Sequence, residues 1–233
     1  MHILVVNPNT TKSMTDKIGA AARKAASFGT LITALTSRRG PSAIQGREDG
    51  ANALPGLYEV INETLDADPT IDALVIACFD DTGLWELKAR LAIPVLGVGE
   101  AGYIVAAVLA HRFSVVTTLS VSIPVLEENL QRQGLFERCA RVRASEVPVL
   151  DLEDPASDAR SKIEAEIAAA LAEDDIGALV LGCAGMADLA DELTKTFGLP
   201  VIDGVAAAVR LAEALGPADV GPEMDLRSQK LGG

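Results

Sequence analysis

Short apolar segments rich in β-branched residues alternate with longer segments in which apolar residues recur at helical spacing. The segments with strand character are residues 3–6, 30–36, 73–77, 93–97, 113–117, 140–143, 178–181 and 200–202. The segments with helical character are residues 13–26, 51–65, 83–90, 101–110, 122–133, 157–173, 186–197 and 205–215. This alternation is typical of a parallel sheet covered by helices, and it predicts a fold of the α/β class.

The pattern of the first half of the chain recurs in the second half. Cys183 lies 105 positions after Cys78 (183 − 78), and each cysteine stands at the end of a short apolar strand. Pro200 lies 106 positions after Pro94 (200 − 94), close to the start of the strand that comes next. The sequence therefore predicts two pseudo-symmetric, doubly wound parallel-sheet domains with the active site between them.

The repeat also predicts where the domains begin and end. Residues 1–100 and 205–233 form the predicted first domain, because the last helix is expected to pack back on the first half. Residues 101–204 form the predicted second domain. From residue 216 onward proline, glycine and charged residues dominate, and this tail is expected to be mobile or ordered only by a neighbouring subunit.

Composition and charge exclude several classes of partner. The net charge of −13 would repel a phosphate backbone, and 3% aromatic residues offer few side chains on which bases could stack, so no nucleic acid is expected. No apolar run approaches the roughly 18 residues of a membrane-spanning helix. Met1 is followed directly by a strand-like segment, which leaves no room for a signal peptide, so a cytoplasmic location is expected. In that reducing compartment the three cysteines are expected to be free.

The motifs of common cofactors are missing from the sequence. No Gly-x-Gly-x-x-Gly or Walker loop follows the first strand, and the glycine-rich run at residues 97–102 comes after the fourth strand without an acidic partner strand. No Cys-x-x-Cys pair or Cys/His cluster predicts a metal site. His2 and His111 stand at the starts of strands, which argues against a histidine base. The chemistry is therefore expected to need no cofactor and no metal.

Cys78 and Cys183 are the candidate catalytic residues. In open α/β sheets ligands bind beyond the carboxyl ends of the strands, where both cysteines are expected. Two identical groups on opposite faces of one ligand suit racemisation or epimerisation, in which one removes a proton and the other returns one. Each cysteine precedes a predicted helix, whose positive N-terminus is expected to lower the pKa of the thiol. A lone cysteine is commonly inert, as expected of Cys139, but recurrence at equivalent places favours a function for the pair.

Small polar residues also follow the strands. Asn9 and Thr10 follow the first strand, and Thr117 and Thr118 end the corresponding strand of the second half. Their side chains could hold substrate oxygens and stabilise an enolate, or they could only cap the helices that come next.

Two further segments near the first cysteine carry polar or flexible residues. Asp80 could orient an N–H donor of a substrate, whereas Asp81 is expected to begin the next helix. The loop with Gly40 and Pro41 could form a lid. Arg38 and Arg39 beside it are more simply explained as a solvated arginine pair.

Four motifs resemble those of a known family. They are Asn-Pro-Asn-Thr at residues 7–10, Ala-Cys-Phe-Asp-Asp at residues 77–81, Arg-Phe-Ser-Val-Val-Thr-Thr at residues 112–118 and Gly-Cys-Ala-Gly-Met at residues 182–186. Together they resemble the aspartate/glutamate racemase superfamily, and within it the hydantoin racemase branch, which includes allantoin racemases. The resemblance extends from the first strand to residue 207, and the two cysteine motifs are its most specific part.

The resemblance implies two α/β domains with the site between them, no cofactor, and assembly into a homo-oligomer. It implies that Cys78 and Cys183 form the two-base pair. One thiolate takes the proton from C5 of a 5-monosubstituted hydantoin, and the other thiol returns a proton to the opposite face of the resulting enolate. The residues expected to bind the substrate are Asn9, Thr10, Pro41, Phe79, Asp80, Thr117, Thr118, Ala184 and Gly185.

Two positions depart from the family pattern. Gln45 stands where an acid is expected, and residues 225–230 match the C-terminal segment only in part, which leaves the preferred substituent and the subunit contacts open. An allantoin racemase, with the same chemistry on a ureido-substituted ring, is the nearest alternative. An aspartate or glutamate racemase, a maleate isomerase or a decarboxylase is less favoured, since a decarboxylase needs only one thiol. The non-enzymatic alternative is a two-domain small-molecule binding protein with inert thiols.

Overall fold

The computed structural model describes residues 1–216. The strands in this range are β1 (His2–Asn7), β2 (Leu31–Thr36), β3 (Ala73–Ile76), β4 (Val95–Gly97), β5 (Phe113–Thr117), β6 (Cys139–Ala144), β7 (Ala178–Gly182) and β8 (Val201–Ile202). The α-helices are α1 (Lys12–Ala25), α2 (Arg47–Ala67), α3 (Leu84–Arg90), α4 (Val98–Leu109), α5 (Ile123–Arg132), α6 (Ala159–Glu173), α7 (Ala190–Phe197) and α8 (Gly204–Leu215). Short 3-10 helices occur at Ser120–Ser122, Phe136–Arg138, Val149–Glu153 and Ala184–Leu189. None of the helices within residues 1–216 is both long and apolar enough to cross a membrane.

The strands form two four-stranded parallel sheets of equivalent order, β2-β1-β3-β4 and β6-β5-β7-β8. The register repeats as well, since Val5 pairs with Val75 in the first sheet and Val115 pairs with Val180 in the second. Val115 lies 110 positions after Val5, and Val180 lies 105 positions after Val75, the same offset that relates the two cysteines. The predicted fold of two equivalent, doubly wound parallel sheets is confirmed.

The central strands are buried along their whole length. Every residue of β1, β3, β5 and β7 is buried. A parallel strand covered by helices on both faces is largely apolar rather than alternating between apolar and polar residues. The continuous apolar runs in the sequence therefore report the central position of these strands, whose carboxyl ends reach the site.

Helices α4 and α8 connect the two sheets. α8 contacts α4, β3 and β4, and it also contacts β7 of the second sheet. One hydrophobic cluster includes Val75, Tyr103, Val180 and Val205, so the sheets share a core. The division into residues 1–100 plus 205–233 and residues 101–204 stays a prediction. The predicted tail from residue 217 onward lies outside the described residues.

Three helices begin at least three residues away from the start that the hydrophobic pattern predicts. α2 begins at Arg47 instead of residue 51, and α4 begins at Val98, directly after β4, instead of residue 101. The six residues from Ala184 form a 3-10 helix, so α7 begins at Ala190 instead of residue 186. The first turn of α2 is polar, with Glu48 and Asp49 at the positive end of the helix, where periodicity gives no signal.

Candidate active site

Cys78 and Cys183 line one cavity at the carboxyl ends of the central strands β3 and β7. β3 ends at Ile76 and β7 ends at Gly182, so each thiol is held just beyond a buried strand. The cavity volume is about 30 Å³. Its wall combines both halves of the chain: Asn9, Met14, Ile44, Ala77, Cys78, Phe79, Asp80, Thr117, Thr118, Ser122, Val149, Gly182, Cys183 and Ala184.

Most of the residues predicted to bind substrate lie in this wall, namely Asn9, Phe79, Asp80, Thr117, Thr118 and Ala184. Thr10, Pro41 and Gly185 are not part of it. The backbone N–H and the hydroxyl of Thr10 both donate to the carbonyl of Pro41, at 3.0 and 3.3 Å, and so attach the loop around Pro41 to the end of β1. The backbone N–H of Gly185 donates to the thiol of Cys183. These three residues therefore support the wall, and direct binding of substrate by any of the nine stays a prediction.

The cavity wall also contains residues that sequence reasoning missed. Met14 lies on α1, whereas Ile44 and Val149 come from segments outside the regular strands and α-helices. Ser122 lies at the end of a 3-10 helix before α5. Only Ser122 carried a signal, since it is a small polar residue shortly after a strand end; the apolar residues have no periodic pattern that points to a site.

Both thiols lie in surroundings that disfavour the thiolate. Burial raises the pKa of the Cys183 thiol to about 12, against an opposing hydrogen bond from the N–H of Gly185. Burial also raises the pKa of the Cys78 thiol, and the negative charge of Asp80 raises it further. The predicted lowering of these pKa values is therefore wrong for the closed cavity. Neither thiol sits at the N-terminus of an α-helix, because α3 begins only at Leu84 and a 3-10 helix follows Cys183.

The carboxyl group of Asp80 lines the cavity with both thiols, and its negative charge raises the pKa of each. Burial raises the pKa of Asp80 itself to about 7, although hydrogen bonds from the Ser122 hydroxyl, at 3.4 Å, and from the backbone N–H of Gly46 oppose this. The backbone carbonyl of Asp80 accepts a hydrogen bond from Asn129 Nδ2 at 2.9 Å. The segment after β3 is thus attached to the second half, and it brings to the site a carboxyl group that changes charge near neutral pH.

Asp81 caps α4 rather than α3, which corrects the prediction. Its carboxylate accepts hydrogen bonds from the backbone N–H groups of Gly99, at 3.0 Å, and Glu100, at 2.7 Å. Burial raises the pKa of Asp81 well above its ordinary value. A Cβ on Gly97 would lie 2.0 Å from Asp81 Oδ1, so only glycine leaves room for this carboxyl group. The glycines early in the run at residues 97–102 therefore accommodate a buried acid.

The amide group of Asn9 presents a donor to the cavity. Its Oδ1 accepts hydrogen bonds from the backbone N–H of Thr11 and from Asn7 Nδ2, both at 2.9 Å. Its Nδ2 donates to the thioether sulfur of Met14 at 3.5 Å, and a thioether is a weak acceptor. A carbonyl oxygen in the cavity would be a stronger acceptor, which suits Asn9 to stabilise an oxygen on which negative charge develops.

Two segments, residues 40–46 and 147–153, cover the cavity from opposite halves, and we call them the cover segments. Gln45 Oε1 accepts a hydrogen bond from the backbone N–H of Val149 at 3.0 Å. Ala43, Val149 and Met14 form a small apolar cluster against which Cys183 packs. Gln45 stands at the position where an acid was expected. Its uncharged side-chain carbonyl accepts the hydrogen bond that joins the two cover segments.

The arginines beside the first cover segment are surface residues. Arg38 pairs with Glu63 at 2.8 Å and Arg39 pairs with Glu59 at 2.7 Å, and both arginine side chains are mostly exposed. The interpretation of a solvated arginine pair is confirmed, and neither guanidinium is part of the cavity wall.

A family model described as Asp/Glu/Hydantoin racemase matches residues 3–212 of this sequence. The chain belongs to this family. The hydantoin racemase of Rhizobium meliloti is 42% identical over 215 residues, which cover 92% of this chain and 88% of that protein. The structure of the allantoin racemase from Klebsiella pneumoniae has a TM-score of 0.89 and 43% identity, covering 92% of this chain and 87% of that one. The allantoin racemase from Pseudomonas fluorescens has a TM-score of 0.86 and 40% identity, covering 92% and 90%.

Membership of the Asp/Glu/hydantoin racemase family confirms the resemblance that the four motifs carry. The relatives named above are isomerases, and the two solved allantoin racemase structures share the fold of this chain over most of their length. Two free thiols in one cavity can remove and return a proton at a carbon that a neighbouring carbonyl makes acidic. Within residues 1–216, no group of three or more His, Cys, Asp or Glu side chains is placed to hold a metal ion.

Proposed function

We propose that this member of the racemase family interconverts the D- and L-forms of 5-monosubstituted hydantoins without a cofactor, using the thiols of Cys78 and Cys183. The observation that carries the proposal is the equivalent position of the two cysteines, each at the end of a central strand and both in the wall of one cavity. The substrate class follows from relatives named hydantoin racemases at 42% and 40% identity. A flat ring between the two sulfurs would turn one face to each thiol.

In the proposed reaction the sulfur of one cysteine gains a proton and the sulfur of the other cysteine loses one. The thiolate of one cysteine takes the proton from C5, so that an S–H bond forms while the C–H bond breaks. The electron pair moves into the adjacent ring carbonyl as an enolate, and the side-chain amide of Asn9 donates a hydrogen bond to the enolate oxygen. The thiol of the other cysteine then donates its proton to the opposite face of C5 and becomes a thiolate. The opposite enantiomer uses the same groups in exchanged roles.

Formation of the thiolate requires the cavity to open. A volume of about 30 Å³ is far below that of ordinary small-molecule sites, roughly 300–1,000 Å³, so the cover segments have to move before a hydantoin can enter. Water that enters at the same time removes part of the burial that raises the pKa of both thiols. A thiolate therefore forms in the open state, and closure then surrounds the ring with protein.

Allantoin is the second candidate substrate, because two related solved structures are named allantoin racemases. Its ureido group carries N–H donors, which the carboxyl group of Asp80 and the hydroxyl of Ser122 could accept at the cavity wall. Met14, Ile44 and Val149 in the same wall suit an alkyl substituent instead. The ratio of kcat/KM for a 5-alkyl hydantoin and for allantoin distinguishes the two.

The test of the proposal follows deuterium exchange at C5 and the loss of optical rotation for each enantiomer in D2O, after subtraction of the spontaneous rate. The unsubstituted protein should racemise the substrate, and Cys78→Ser and Cys183→Ser should each abolish racemisation. Each variant should still exchange the C5 proton of one enantiomer for deuterium. The enantiomer that Cys78→Ser exchanges should be the opposite of the one that Cys183→Ser exchanges. Cys139→Ser is the matched control, since Cys139 lies in β6 and outside the cavity wall.

Two results would contradict the proposal in different ways. Normal racemisation by both Cys78→Ser and Cys183→Ser would show that the two thiols are not the acid and the base. Failure of the unsubstituted protein to racemise either a 5-alkyl hydantoin or allantoin would remove the substrate class.

We further propose that the chain acts as a homo-oligomer in the cytoplasm. Val108 and Leu109 at the end of α4 are 81% and 57% exposed, and Ile104 is exposed one turn earlier, which is an apolar surface suited to a subunit contact. All three cysteines are free thiols, as a reducing compartment favours. Sedimentation should give a mass above that of one chain, and Val108→Glu should lower it; a monomeric unsubstituted protein would contradict the proposal.

A further inference from the structure

We propose that Thr82 is a positioning residue for Cys78. The hydroxyl of Thr82 donates a hydrogen bond to the Cys78 sulfur and favours the thiolate at this cysteine alone. Thr82 Oγ1 donates to Cys78 Sγ at 3.6 Å. Thr82 is 7% exposed, so water competes little for this hydroxyl. The catalytic consequence rests on the proposed function of Cys78, whereas the effect on the thiol can be measured without a substrate.

The turn after β3 brings Thr82 back onto the cysteine. The backbone N–H of Asp81 donates to the carbonyl of Cys78 at 3.0 Å. Asp81 and Gly83 both have a positive φ, 52° and 75°, so the chain coils tightly on either side of Thr82. A left-handed aspartate is unfavourable by itself. The hydrogen bonds of its carboxylate to the start of α4 hold it in place, and they thereby fix the position of the Thr82 hydroxyl.

The second half makes a related turn but lacks the hydroxyl. In both halves the backbone N–H three residues after the cysteine donates to the cysteine carbonyl, at 3.0 Å. Four residues after Cys183 stands Ala187, at the position that Thr82 occupies in the first half. Each thiol also receives a hydrogen bond from the backbone N–H two residues later, from Asp80 at Cys78 and from Gly185 at Cys183, so the Thr82 hydroxyl is the additional donor at Cys78. The two thiols are therefore chemically different although the two halves are related.

The hydrogen bond from Thr82 opposes the charges around Cys78. The titratable groups that act on this thiol are the carboxyl group of Asp80 and the thiol of Cys183, and both raise its pKa. A hydrogen bond to a charged acceptor is stronger than one to a neutral acceptor, so the hydroxyl stabilises the thiolate more than the thiol. When Cys78 takes the proton from C5, an S–H bond replaces the C–H bond and the hydroxyl keeps its own proton.

The first test measures thiolate formation in the intact protein without substrate. Iodoacetamide reacts with the thiolate, and peptide mass spectrometry gives separate rates for Cys78 and Cys183 as the pH is raised. Thr82→Val keeps the shape of the side chain and removes the donor. Cys78 should then react about tenfold more slowly at a given pH, which corresponds to a rise of about one unit in its pKa, while Cys183 keeps its rate.

The conservative variant separates the hydrogen bond from packing. Thr82→Ser retains a hydroxyl and should restore the alkylation rate of Cys78 to near that of the unsubstituted protein. An unchanged Cys78 rate in Thr82→Val, or an equal loss of rate at both cysteines, would overturn the proposal. An equal loss would show a general change in the cavity rather than a bond to one sulfur.

The second test uses substrate and the single-cysteine backgrounds. In Cys183→Ser the remaining exchange at C5 depends on Cys78, and Thr82→Val should slow it about tenfold. In Cys78→Ser the remaining exchange depends on Cys183, and Thr82→Val should leave it unchanged. If the unsubstituted protein racemises hydantoins and Thr82→Val slows neither exchange, the inference about Thr82 fails. If no hydantoin is racemised but the alkylation rates change as expected, the proposed function fails and the inference holds.

Discussion

The side chain of Gln45 accepts a hydrogen bond from the backbone N–H of Val149 at 3.0 Å, across 104 positions of sequence. This bond joins the two cover segments above the thiols. Lys17 adds a second attachment, since its Nζ donates to the carbonyl of Leu152 at 2.8 Å. Access to the cavity therefore depends on bonds between surface segments, because the two sheets themselves share a hydrophobic core.

Replacement of Gln45 by alanine should loosen the cover segments. The loss of one hydrogen bond should lower the free energy of unfolding by no more than about 1.5 kcal/mol. The cavity should open more often, so iodoacetamide should alkylate both Cys78 and Cys183 faster, and KM for the hydantoin should rise. Gln45→Glu is the matched control because a carboxylate oxygen still accepts from Val149. Equal alkylation rates in Gln45→Ala and the unsubstituted protein would show that this bond does not limit access.

Replacement of Asp80 by asparagine should make both thiols more acidic. The negative charge of Asp80 raises the pKa of Cys78 and of Cys183, and the amide removes that charge while keeping the shape. Alkylation of both cysteines should therefore be faster than in the unsubstituted protein above pH about 7, where Asp80 is ionised. Below that pH the carboxyl group is protonated, and the two proteins should converge. A slower reaction of Asp80→Asn at alkaline pH would contradict the electrostatic assignment.

The N-cap of α8 gives a prediction about stability. The carboxylate of Asp203 accepts hydrogen bonds from the backbone N–H groups of Val205, at 2.8 Å, and Ala206, at 3.0 Å. Asp203→Ala should lower the free energy of unfolding by about 1 kcal/mol, and Asp203→Asn by less, because asparagine is also a favourable cap. Urea unfolding at neutral pH measures both. A loss in Asp203→Asn as large as in Asp203→Ala would show that capping is not the role of this side chain.

The same residue gives a pH dependence with a defined sign. Burial raises the pKa of Asp203 to about 6 from an ordinary value of 3.8. Between pH 3.8 and pH about 6 the folded protein therefore binds more protons than the unfolded chain. The stability that protonated Asp203 contributes is complete below pH 3.8 and is lost as the pH rises through about 6. Relative to Asp203→Asn, the unsubstituted protein should lose stability from pH about 4 to about 6 and then change no further. A relative gain over this range would contradict the raised pKa.

The glycine beside the buried Asp81 carboxyl group should tolerate no side chain. In Gly97→Ala the new Cβ would lie 2.0 Å from Asp81 Oδ1, so the carboxyl group has to move and the variant should lose at least about 2 kcal/mol of unfolding free energy. Gly50 in α2 is the matched contrast, since its nearest neighbour would be Thr82 Oγ1 at 3.6 Å, an ordinary contact. Gly50→Ala should stabilise the helix by about 0.5–1 kcal/mol. Thermal unfolding compares the two, and equal effects would contradict the steric argument.

The parts of the fold that depend on local pattern could be predicted from the sequence. The offset of 105 positions between the two cysteines also relates Val75 to Val180, which occupy equivalent places in the two sheets. Burial along a single strand leaves a continuous apolar run, so the strand ends that carry Cys78 and Cys183 were evident. The repeat then placed both thiols at one cavity.

The parts that depend on contacts between distant segments could not be predicted. Asp81 has the residue type of a helix cap, but it caps a helix whose bonded N–H groups lie 18 and 19 positions away. Ile44 and Val149 close the cavity from segments without a period. The pKa of each thiol likewise depends on how much protein surrounds it, which the predicted helix N-termini did not reveal.

The hydrophobic cluster that includes residues of α4 and α8 joins the two sheets whose strand ends lead to the two cysteines. A thiolate on either side of a flat ring has no proton to remove when the carbon between the sulfurs bears two alkyl groups and no hydrogen. We therefore expect 5,5-dialkyl hydantoins to occupy the site as unreactive competitors that are released unchanged.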